Sequence, residues 1–395
     1  MNSGIRPAAA VIGTGFIAAV HVDALRRIGV KIAGVLGSSP SRSQEGAARF
    51  GADKSYAALE ELLDDPDVDV VHITSPNDAH AEQAAACLRA GKHVICEKPL
   101  ALSSKETSGL RELARETGLV AAVNFNIRYY PQVMEMRERI SSGDLGSPYL
   151  VTGSYRQDWL LYDTDWNWRA ESGRGGPLRV VGDIGSHWFD LAAFVTGTRI
   201  VEVLADLSTF VPVRQRPDGS VRTFEDAGGS ADPSNASGRS STPVDVESED
   251  AATILLRFED GARGTFVGSQ VSAGRKNAIE IEVNAATASV AWKGERPDEL
   301  WIGHRSAPNE LLIRDPSLLG ADARRAATLP GGHAEGFENA FRAMYEDVYE
   351  DIARGRPSPH PRYATFEDGH DESLILDAVA RSAETGQWTI VERDD

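Results

Sequence analysis

The sequence predicts an α/β fold that begins with a parallel, doubly wound sheet. Over the first third of the chain, short apolar runs of strand length alternate with segments that carry apolar residues at helical spacing. A glycine turn joins the first of these strands to the first helix. Strands that alternate with helices form a parallel sheet covered on both faces. The 395 residues are enough for a second domain after this one.

Each predicted element rests on its apolar pattern and on the residues that stop it. The predicted strands, in chain order, are 8–12, 30–36, 68–74, 93–96 and 120–125. The predicted helices are 17–28, 41–50, 55–63 with Ser55 as N-cap, 79–90, and one that begins at a Ser103–Glu106 capping box and ends near Gly118.

Three loops should meet at one edge of this sheet, where such sheets bind ligands. They are "GTGFIA" (13–18), "TSPNDAH" (74–80) and "CEKP" (96–99). In the first, Gly13 permits a tight bend, Gly15 lets backbone N–H groups approach a pyrophosphate, and Ala18 packs helix against strand. The loop follows a strand and opens a helix, so it predicts a dinucleotide site.

The rest of the chain predicts a helix from Pro131, a strand within 147–160, and further strands from 251 to 292. Residues 211–247 are poor in apolar residues and rich in Gly, Ser, Pro and Asp, which predicts a long loop inside the second domain. The predicted domains are 1–127 and 128–395.

Composition excludes several classes of protein. A net charge of −18 argues against a nucleic-acid surface. The two cysteines, Cys87 and Cys96, form neither a disulfide framework nor a zinc site, and we expect no metal. The beginning of the chain does not fit a signal peptide, and no apolar run reaches the roughly 18 residues of a membrane span. We therefore expect a cytoplasmic protein with no membrane partner.

Three segments carry a family resemblance: "GTGFIA", "TSPNDAHAEQAAACLRAGKHVICEKPLAL" and "GGPLRVVGDIGSHWFDLAAFVTG". Their order and spacing resemble the Gfo/Idh/MocA family of NAD(P)-dependent oxidoreductases, the relatives of glucose–fructose oxidoreductase and inositol dehydrogenase. The resemblance implies an N-terminal Rossmann domain and a C-terminal α+β domain. The second domain would carry a large, mostly antiparallel open sheet that binds substrate and mediates assembly into a homodimer or homotetramer.

The resemblance also implies site residues. Lys98 falls on the family's catalytic lysine, and Asp183 and His187 fall on its Asp-x-x-x-His pair. The expected cofactor-binding residues are Gly13, Gly15, Phe16, Ile17, Ser38, Ser39, Arg42, Thr74, Ser75, Pro76, Asn77, His80, Glu97, Lys98 and Asn126. The expected substrate-binding residues are Lys98, Tyr155, Trp166, Arg169, Asp183, His187 and His333.

These residue types suit alcohol oxidation, in which the cofactor takes a hydride and the protein takes a proton. Desolvation and the positive nicotinamide favour a neutral lysine amine, while Glu97 holds the side chain and Pro99 excludes a helical conformation at Lys98. Asp183 and His187 would share one helix face. The alternatives are a plain N-cap for Asp183, a core histidine for His187, and a surface Glu–Lys pair at a strand end for Glu97 and Lys98.

The adenosine end of the site predicts tolerance of NADP. No acid follows the second strand in "VLGSSPSR", while Ser38, Ser39 and Arg42 can bind a 2′-phosphate. Arg42 can instead face solvent. NAD and NADP both remain candidate cofactors.

The stretch "DWLLYDTDWNWR" interleaves aromatic and polar residues, which suits a polyhydroxylated substrate or, alternatively, an aromatic core or subunit contact. We expect an oxidoreductase acting on a secondary alcohol or ketone of a sugar, sugar derivative or cyclitol. Two other functions use the same scaffold: a glycoside-cleaving enzyme that oxidises its sugar transiently, and a non-enzymatic NAD(P) sensor.

Overall fold

The computed structural model describes residues 7–218 and 240–393. The strands, in chain order, are β1 (Ala9–Ile12), β2 (Ile32–Leu36), β3 (Lys54–Tyr56), β4 (Val70–Ile73), β5 (His93–Cys96), β6 (Ala121–Val123), β7 (Pro148–Arg156), β8 (Ile200–Ser208), β9 (Val213–Pro217), β10 (Ser241–Asp245), β11 (Ala251–Phe258), β12 (Arg263–Ser269), β13 (Ala278–Ala285), β14 (Ala288–Lys293), β15 (Glu299–His304), β16 (Glu310–Ile313), β17 (Ala364–Thr365) and β18 (Thr389–Ile390).

The helices, in chain order, are α1 (Phe16–Arg27), α2 (Pro40–Arg49), α3 (Leu59–Leu63), α4 (His80–Arg89), α5 (Ser104–Thr117), α6 (Pro131–Ser141), α7 (Ser172–Gly175), α8 (Ser186–Thr196), α9 (Ala321–Ala326), α10 (Phe337–Arg354) and α11 (Phe366–Thr385). Short 3-10 turns cover Asn77–Ala79, Asn126–Tyr129 and Trp168–Ala170, and a π-helical segment covers Val181–Gly185.

The chain divides into two compact units, one formed by 1–130 with 335–373 and the other by 131–334 with 374–395. The first unit contains a seven-stranded sheet in the order β17-β6-β5-β4-β1-β2-β3. Its central strands β1, β2 and β4 are buried along their whole length, as expected when helices cover both faces. The prediction of a doubly wound parallel sheet is confirmed.

The second unit is built on a nine-stranded sheet in the order β16-β15-β14-β13-β7-β12-β11-β8-β18. Its strands pair antiparallel except β7 with β12, which confirms the expected mostly antiparallel sheet. Trp188 of α8 lies directly on β7 and donates a hydrogen bond to the Glu280 carbonyl at 3.0 Å. Gly153 permits this approach, because a Cβ there would lie 2.3 Å from the Trp188 indole nitrogen.

The N-cap prediction at Ser55 was wrong. Ser55 lies inside β3, which pairs with β2, and the helix begins only at Leu59. Tyr56 explains the strand: its ring covers Gly34 of β2 and its hydroxyl donates to Asp65 at 2.7 Å. These contacts outweigh the helical spacing of the leucines that follow.

The predicted loop at 211–247 was wrong at both ends. There, β9 and β10 pair antiparallel from Val213 with Asp245 to Pro217 with Ser241. The middle of that segment lies outside the described residues. The segment 335–373 also differs from expectation, because it packs with the first unit although the predicted boundary assigned it to the second.

No helix among the described residues is long and apolar enough to span a membrane.

Candidate functional site

The carboxyl ends of the parallel strands in the first unit lie in one row. Ile12 of β1 is in register with Leu36 of β2 and Ile73 of β4, Ile73 is in register with Cys96 of β5, and Cys96 with Val123 of β6. Every predicted cofactor-binding residue follows one of these five strand ends. The structure therefore brings the predicted loops to one edge of one sheet.

The glycine turn at this edge has no room for a side chain at Gly13. Its φ is +113°, and an added Cβ would lie 2.3 Å from the Thr74 hydroxyl and 2.8 Å from the Thr74 carbonyl oxygen. The Gly13 N–H donates to the Leu36 carbonyl at 2.8 Å, and the Thr74 hydroxyl donates to the Ile12 carbonyl at 2.7 Å. The turn is thus tied to both neighbouring strands.

Gly15 and the start of α1 form an open cradle. An added Cβ at Gly15 would meet nothing within 4 Å, and no side chain caps the first turn of α1. Phe16 is 46% exposed, Ile17 is half-buried, and Ala18 is fully buried, as the packing role predicted for it requires. Uncapped N–H groups and the positive end of the helix dipole favour an anion there. This arrangement fits a dinucleotide pyrophosphate.

The loop after β2 carries the residues expected at the adenosine end. Ser38 and Ser39 are exposed and Arg42 is half-buried. The Ser39 hydroxyl caps α2 by accepting from the Arg42 N–H at 3.3 Å, and the Arg42 guanidinium lies 3.7 Å from Glu45. Ser39 and Arg42 therefore already have contacts with residues of α2.

His80 joins the loop after β4 to the loop after β5. Its Nδ1 lies 2.8 Å from the Pro99 carbonyl and its Nε2 lies 2.9 Å from the Ser75 carbonyl. Burial lowers the pKa of His80, although both carbonyls favour the protonated ring. Ser75 is held further by Gln83, to which its hydroxyl donates at 2.6 Å, while Asn77 is buried in the 3-10 turn.

Glu97 and Lys98 are both buried where β5 ends. The Glu97 carboxylate accepts from the Asn124 amide at 2.5 Å, and its second oxygen accepts from the Lys98 backbone N–H at 3.2 Å. The Lys98–Pro99 peptide bond is cis. Asn126, also predicted at this edge, is buried after β6. The alternative of a surface ion pair is excluded, because neither side chain lies at the surface.

In the second unit, Asp183 is held at both of its carboxylate oxygens. Arg169 Nε lies 3.0 Å from one oxygen, and the Gln270 amide donates to the other at 2.9 Å. Asp183 lies inside the π-helical segment. The N-cap of that segment is Val180 and the N-cap of α8 is Gly185, so Asp183 caps neither. The predicted helix is therefore α-helical only from Ser186, and the N-cap alternative for Asp183 was wrong.

His187 lies in the first turn of α8 and is half-buried. Its ring centroid is 6.3 Å from that of Tyr155, whose hydroxyl donates to Asn277 at 2.6 Å. Four of the predicted substrate-binding residues therefore contact one another in pairs. Arg169 contacts Asp183, and Tyr155 contacts His187.

A buried arginine hydrogen-bonds to the backbone of the aromatic stretch. Arg214 of β9 donates to the carbonyls of Leu160 and Tyr162 at 2.9 and 3.0 Å. Trp166 is half-buried, and the Arg169 guanidinium stacks 4.4 Å from the Trp168 ring. His333 has an exposed ring, and its backbone carbonyl accepts from Arg314.

Sequence reasoning missed several polar residues that hold these sites. They are His21, His72, Asn124, Gln157, Gln270, Asn277, Tyr345 and Tyr349. Two of them carried a signal: His21 interrupts an apolar helix and His72 an apolar strand, and a buried polar side chain requires hydrogen-bond partners.

No group of three or more His, Cys, Asp or Glu side chains suited to a metal ion occurs within 7–218 and 240–393.

Comparison with protein families gives two matches. The model described as an oxidoreductase family with an NAD-binding Rossmann fold matches residues 8–125, and the GFO/IDH/MocA C-terminal domain matches residues 133–291. The chain belongs to the Gfo/Idh/MocA oxidoreductase family. This membership confirms the predicted family, the NAD-binding fold and the prediction of an oxidoreductase.

Similar proteins act on sugars and cyclitols by name. Levoglucosan dehydrogenase of Pseudarthrobacter phenanthrenivorans is 31% identical over 90% of this chain and 88% of its own length. Myo-inositol 2-dehydrogenase of Thermotoga maritima is 28% identical over 66% of this chain and 67% of its own length. A solved structure of levoglucosan dehydrogenase in complex with NADH and levoglucosan has a TM-score of 0.85 and 27% identity, covering 98% of this chain and 100% of that one.

Proposed function

We propose that this Gfo/Idh/MocA protein is a dehydrogenase that oxidises a secondary hydroxyl of a cyclic sugar, with levoglucosan, a 1,6-anhydro sugar, as the first candidate substrate. The observation that carries the proposal is the buried Lys98 at the same sheet edge as the Gly13–Phe16 turn. An amine there can accept a proton beside the nicotinamide end of a dinucleotide. The 31% identity to levoglucosan dehydrogenase over 90% of the chain supports the choice of sugar.

In this proposal, bound NAD⁺ supplies the acceptor for the hydride that leaves the carbinol carbon. The Lys98 amine takes the proton from the hydroxyl, so that C–H and O–H both break and a C=O bond forms. Asp183, held in place by Arg169 and Gln270, accepts a hydrogen bond from the substrate hydroxyl, and His187 exchanges the proton onward. Tyr155, Trp166, Arg169 and His333 are the proposed contacts to the rest of the sugar.

We propose that both NAD⁺ and NADP⁺ are accepted. The support is the exposed pair Ser38 and Ser39 at the start of α2, with no carboxylate between Gly37 and Arg42. The N-terminus of a ten-residue helix favours a 2′-phosphate, while the contact of Arg42 with Glu45 limits what that guanidinium contributes.

We also propose that the sheet of the second unit mediates a homodimer or homotetramer. Leu150, Leu255 and Val267 are exposed, and strand register puts them on one face of the sheet. Exposed apolar side chains on one face are typical of a contact between subunits. Light scattering of the purified protein coupled to size-exclusion chromatography would measure the mass, and a monomer at micromolar concentration would contradict the proposal.

A substrate panel followed at 340 nm tests the proposed function. Levoglucosan, myo-inositol, free glucose and a methyl glucoside are each offered with NAD⁺ or NADP⁺. We expect formation of NADH or NADPH with at least one of the cyclic polyols, and a fall in kcat of about 10²–10⁴ for Lys98→Met. Lys105→Met, which removes an exposed lysine of α5, is the matched control and should retain full turnover. A Lys98→Met protein with normal turnover would remove the lysine from the reaction.

A further inference from the structure

A line of polar side chains crosses the apolar interior of the first unit and ends at Glu97, the residue before Lys98. Tyr349 Oη lies 3.1 Å from His72 Nε2, His72 Nδ1 lies 3.0 Å from His21 Nδ1, and His21 Nε2 lies 2.9 Å from Glu97 Oε1. We call Tyr349, His72, His21 and Glu97 the histidine chain. Its members come from α10, β4, α1 and the end of β5.

The surroundings of the two histidines are aromatic. The His21 ring packs edge-on against Phe341 and Tyr345, and His72 packs against Tyr345 and Tyr349. Both histidines are 0% exposed. Apolar residues of similar size would fill these places without the cost of burying imidazoles, and that cost is offset only while each ring nitrogen keeps a partner.

The positions of the protons follow from burial. Burial, and next His21, lower the pKa of His72 well below its usual value, so its ring is neutral at pH 7. Burial raises the pKa of Tyr349 well above 10, so its hydroxyl keeps a proton to donate. If Tyr349 donates to His72 Nε2, the single ring proton of His72 is on Nδ1 and points to His21. His21 Nδ1 then accepts this hydrogen bond, so the ring proton of His21 is on Nε2 and is donated to Glu97.

In the reverse order, the Nδ1–H of His21 donates to His72. A ring with that single proton would direct the lone pair of His21 Nε2 at the Glu97 carboxylate oxygen 2.9 Å away. Two further donors reach this carboxylate, the Asn124 amide at 2.5 Å and the Lys98 N–H at 3.2 Å. Asn124 is itself oriented by Tyr345, whose hydroxyl donates to its carbonyl oxygen at 3.3 Å. These donors fix the orientation of the Glu97 carboxylate, and the backbone N–H of Lys98 donates a hydrogen bond to it.

We infer that His21 and His72 are positioning residues for Lys98, acting through the Glu97 carboxylate that they orient. Neither histidine contacts substrate in this inference. It rests on the proposed function in that Lys98 takes the substrate proton. Loss of the His21 hydrogen bond removes one of the donors that orient the Glu97 carboxylate, so this carboxylate fixes the backbone N–H of Lys98 less firmly.

Two substitutions at His21 separate positioning from packing. His21→Phe keeps an aromatic ring against Phe341 and Tyr345 but removes both hydrogen bonds. His21→Gln places an amide donor near the position of Nε2, so it can still donate to Glu97. We expect His21→Phe to lower kcat about 10- to 100-fold and to displace the pH profile of kcat, with NADH affinity within about threefold of wild type. His21→Gln should recover most of the loss.

Packing alone predicts a different pattern, in which both variants lose thermal stability while the turnover and pH profile of the folded fraction stay those of wild type. That result would overturn the inference. So would a His21→Gln enzyme no more active than a folded His21→Phe enzyme.

A second measurement does not depend on any substrate. Nitrogen-15 NMR of histidine-labelled protein reports which ring nitrogen carries the proton, and His72→Phe assigns the His72 signals. We expect the Nδ1–H form for His72 and the Nε2–H form for His21. A His21 ring without a proton on Nε2 would show that the chain does not donate toward Glu97 and would overturn the inference. Absence of turnover in the wild type with every sugar would instead contradict the proposed function, and the NMR result would still decide the histidine chain.

Discussion

Gly13 and Gly15 offer a matched pair of substitutions that separates the fold of the turn from its binding of cofactor. Gly13→Ala adds a Cβ at φ +113° and 2.3 Å from the Thr74 hydroxyl, which is itself bound to Ile12. Backbone strain of this kind costs ~1–3 kcal/mol and overpacking adds ~1–3 kcal/mol. We therefore expect Gly13→Ala to lower the free energy of unfolding by about 2–6 kcal/mol.

Gly15→Ala should behave in the opposite way. Gly15 has φ −77° and ψ −168°, which alanine adopts without strain, and its added Cβ would meet nothing within 4 Å. The free energy of unfolding should stay equal or rise by ~0.4–1 kcal/mol, since alanine restricts the unfolded chain. NADH should bind at least about tenfold more weakly, a loss of ~1.4 kcal/mol, because the methyl group occupies the approach to the uncapped first turn of α1.

Urea unfolding and NADH fluorescence titration measure the two effects. Gly91→Ala is the control for a positive φ alone, because Gly91 has φ +78° and open space around it. It should cost less than Gly13→Ala and leave NADH affinity unchanged. If Gly13→Ala unfolds like the wild type, the description of the turn is incorrect. If Gly15→Ala binds NADH as tightly as the wild type, the pyrophosphate does not lie against this turn.

Three further predictions concern proton uptake, catalysis and cofactor choice. Because burial lowers the pKa of His72 well below 6.5, only the unfolded chain binds a proton at this residue just below that pH, and stability falls as the pH is lowered. We expect the free energy of unfolding, measured with urea between pH 5 and 6.5, to fall less steeply in His72→Phe than in the wild type, by up to ~1.4 kcal/mol per pH unit. The same pH dependence in both proteins would contradict the lowered pKa. Lys98→Met and His187→Asn should each lower kcat by about 10²–10⁴. The fall in kcat of the double variant should be far smaller than the product of the two single falls, since residues on one proton path act as a unit. A fall equal to that product would show that the two residues act independently. The ratio of kcat/KM for NAD⁺ and NADP⁺ should stay within about 100-fold, or ~2.7 kcal/mol, and a larger preference for NAD⁺ would contradict the proposed tolerance.

Local patterns were enough to predict the sheet edge of the first unit. The run 8–12, the glycine turn and the spacing of Ile17, Val20 and Ala24 together predicted a strand–turn–helix, and β1 and α1 lie there. Ser103 caps α5 as predicted, and α5 ends at a left-handed Gly118. Each of these signals depends on residues within a few positions of one another.

The features that were missed depend on residues far apart in sequence. His21 contacts His72 and Glu97 across 51 and 76 positions, and Gln270 reaches Asp183 across 87. The membership of 335–373 in the first unit also depends on residues far apart in sequence, because β17 extends the first sheet by pairing antiparallel with β6. The sequence pattern shows that His72 is a polar residue within an apolar strand, but it does not show which side chains form hydrogen bonds with it.

The direct test of the central claim is the fate of hydrogen from the carbinol carbon. Levoglucosan deuterated on its ring carbons is incubated with the wild-type protein and NAD⁺, and the dinucleotide is analysed by mass spectrometry and by absorbance at 340 nm. A dehydrogenase of the proposed kind should accumulate reduced cofactor that carries one deuterium for each sugar oxidised, and Lys98→Met should suppress both signals together. Conversion of sugar without net reduced cofactor, or reduced cofactor without deuterium, would contradict direct hydride transfer from the sugar.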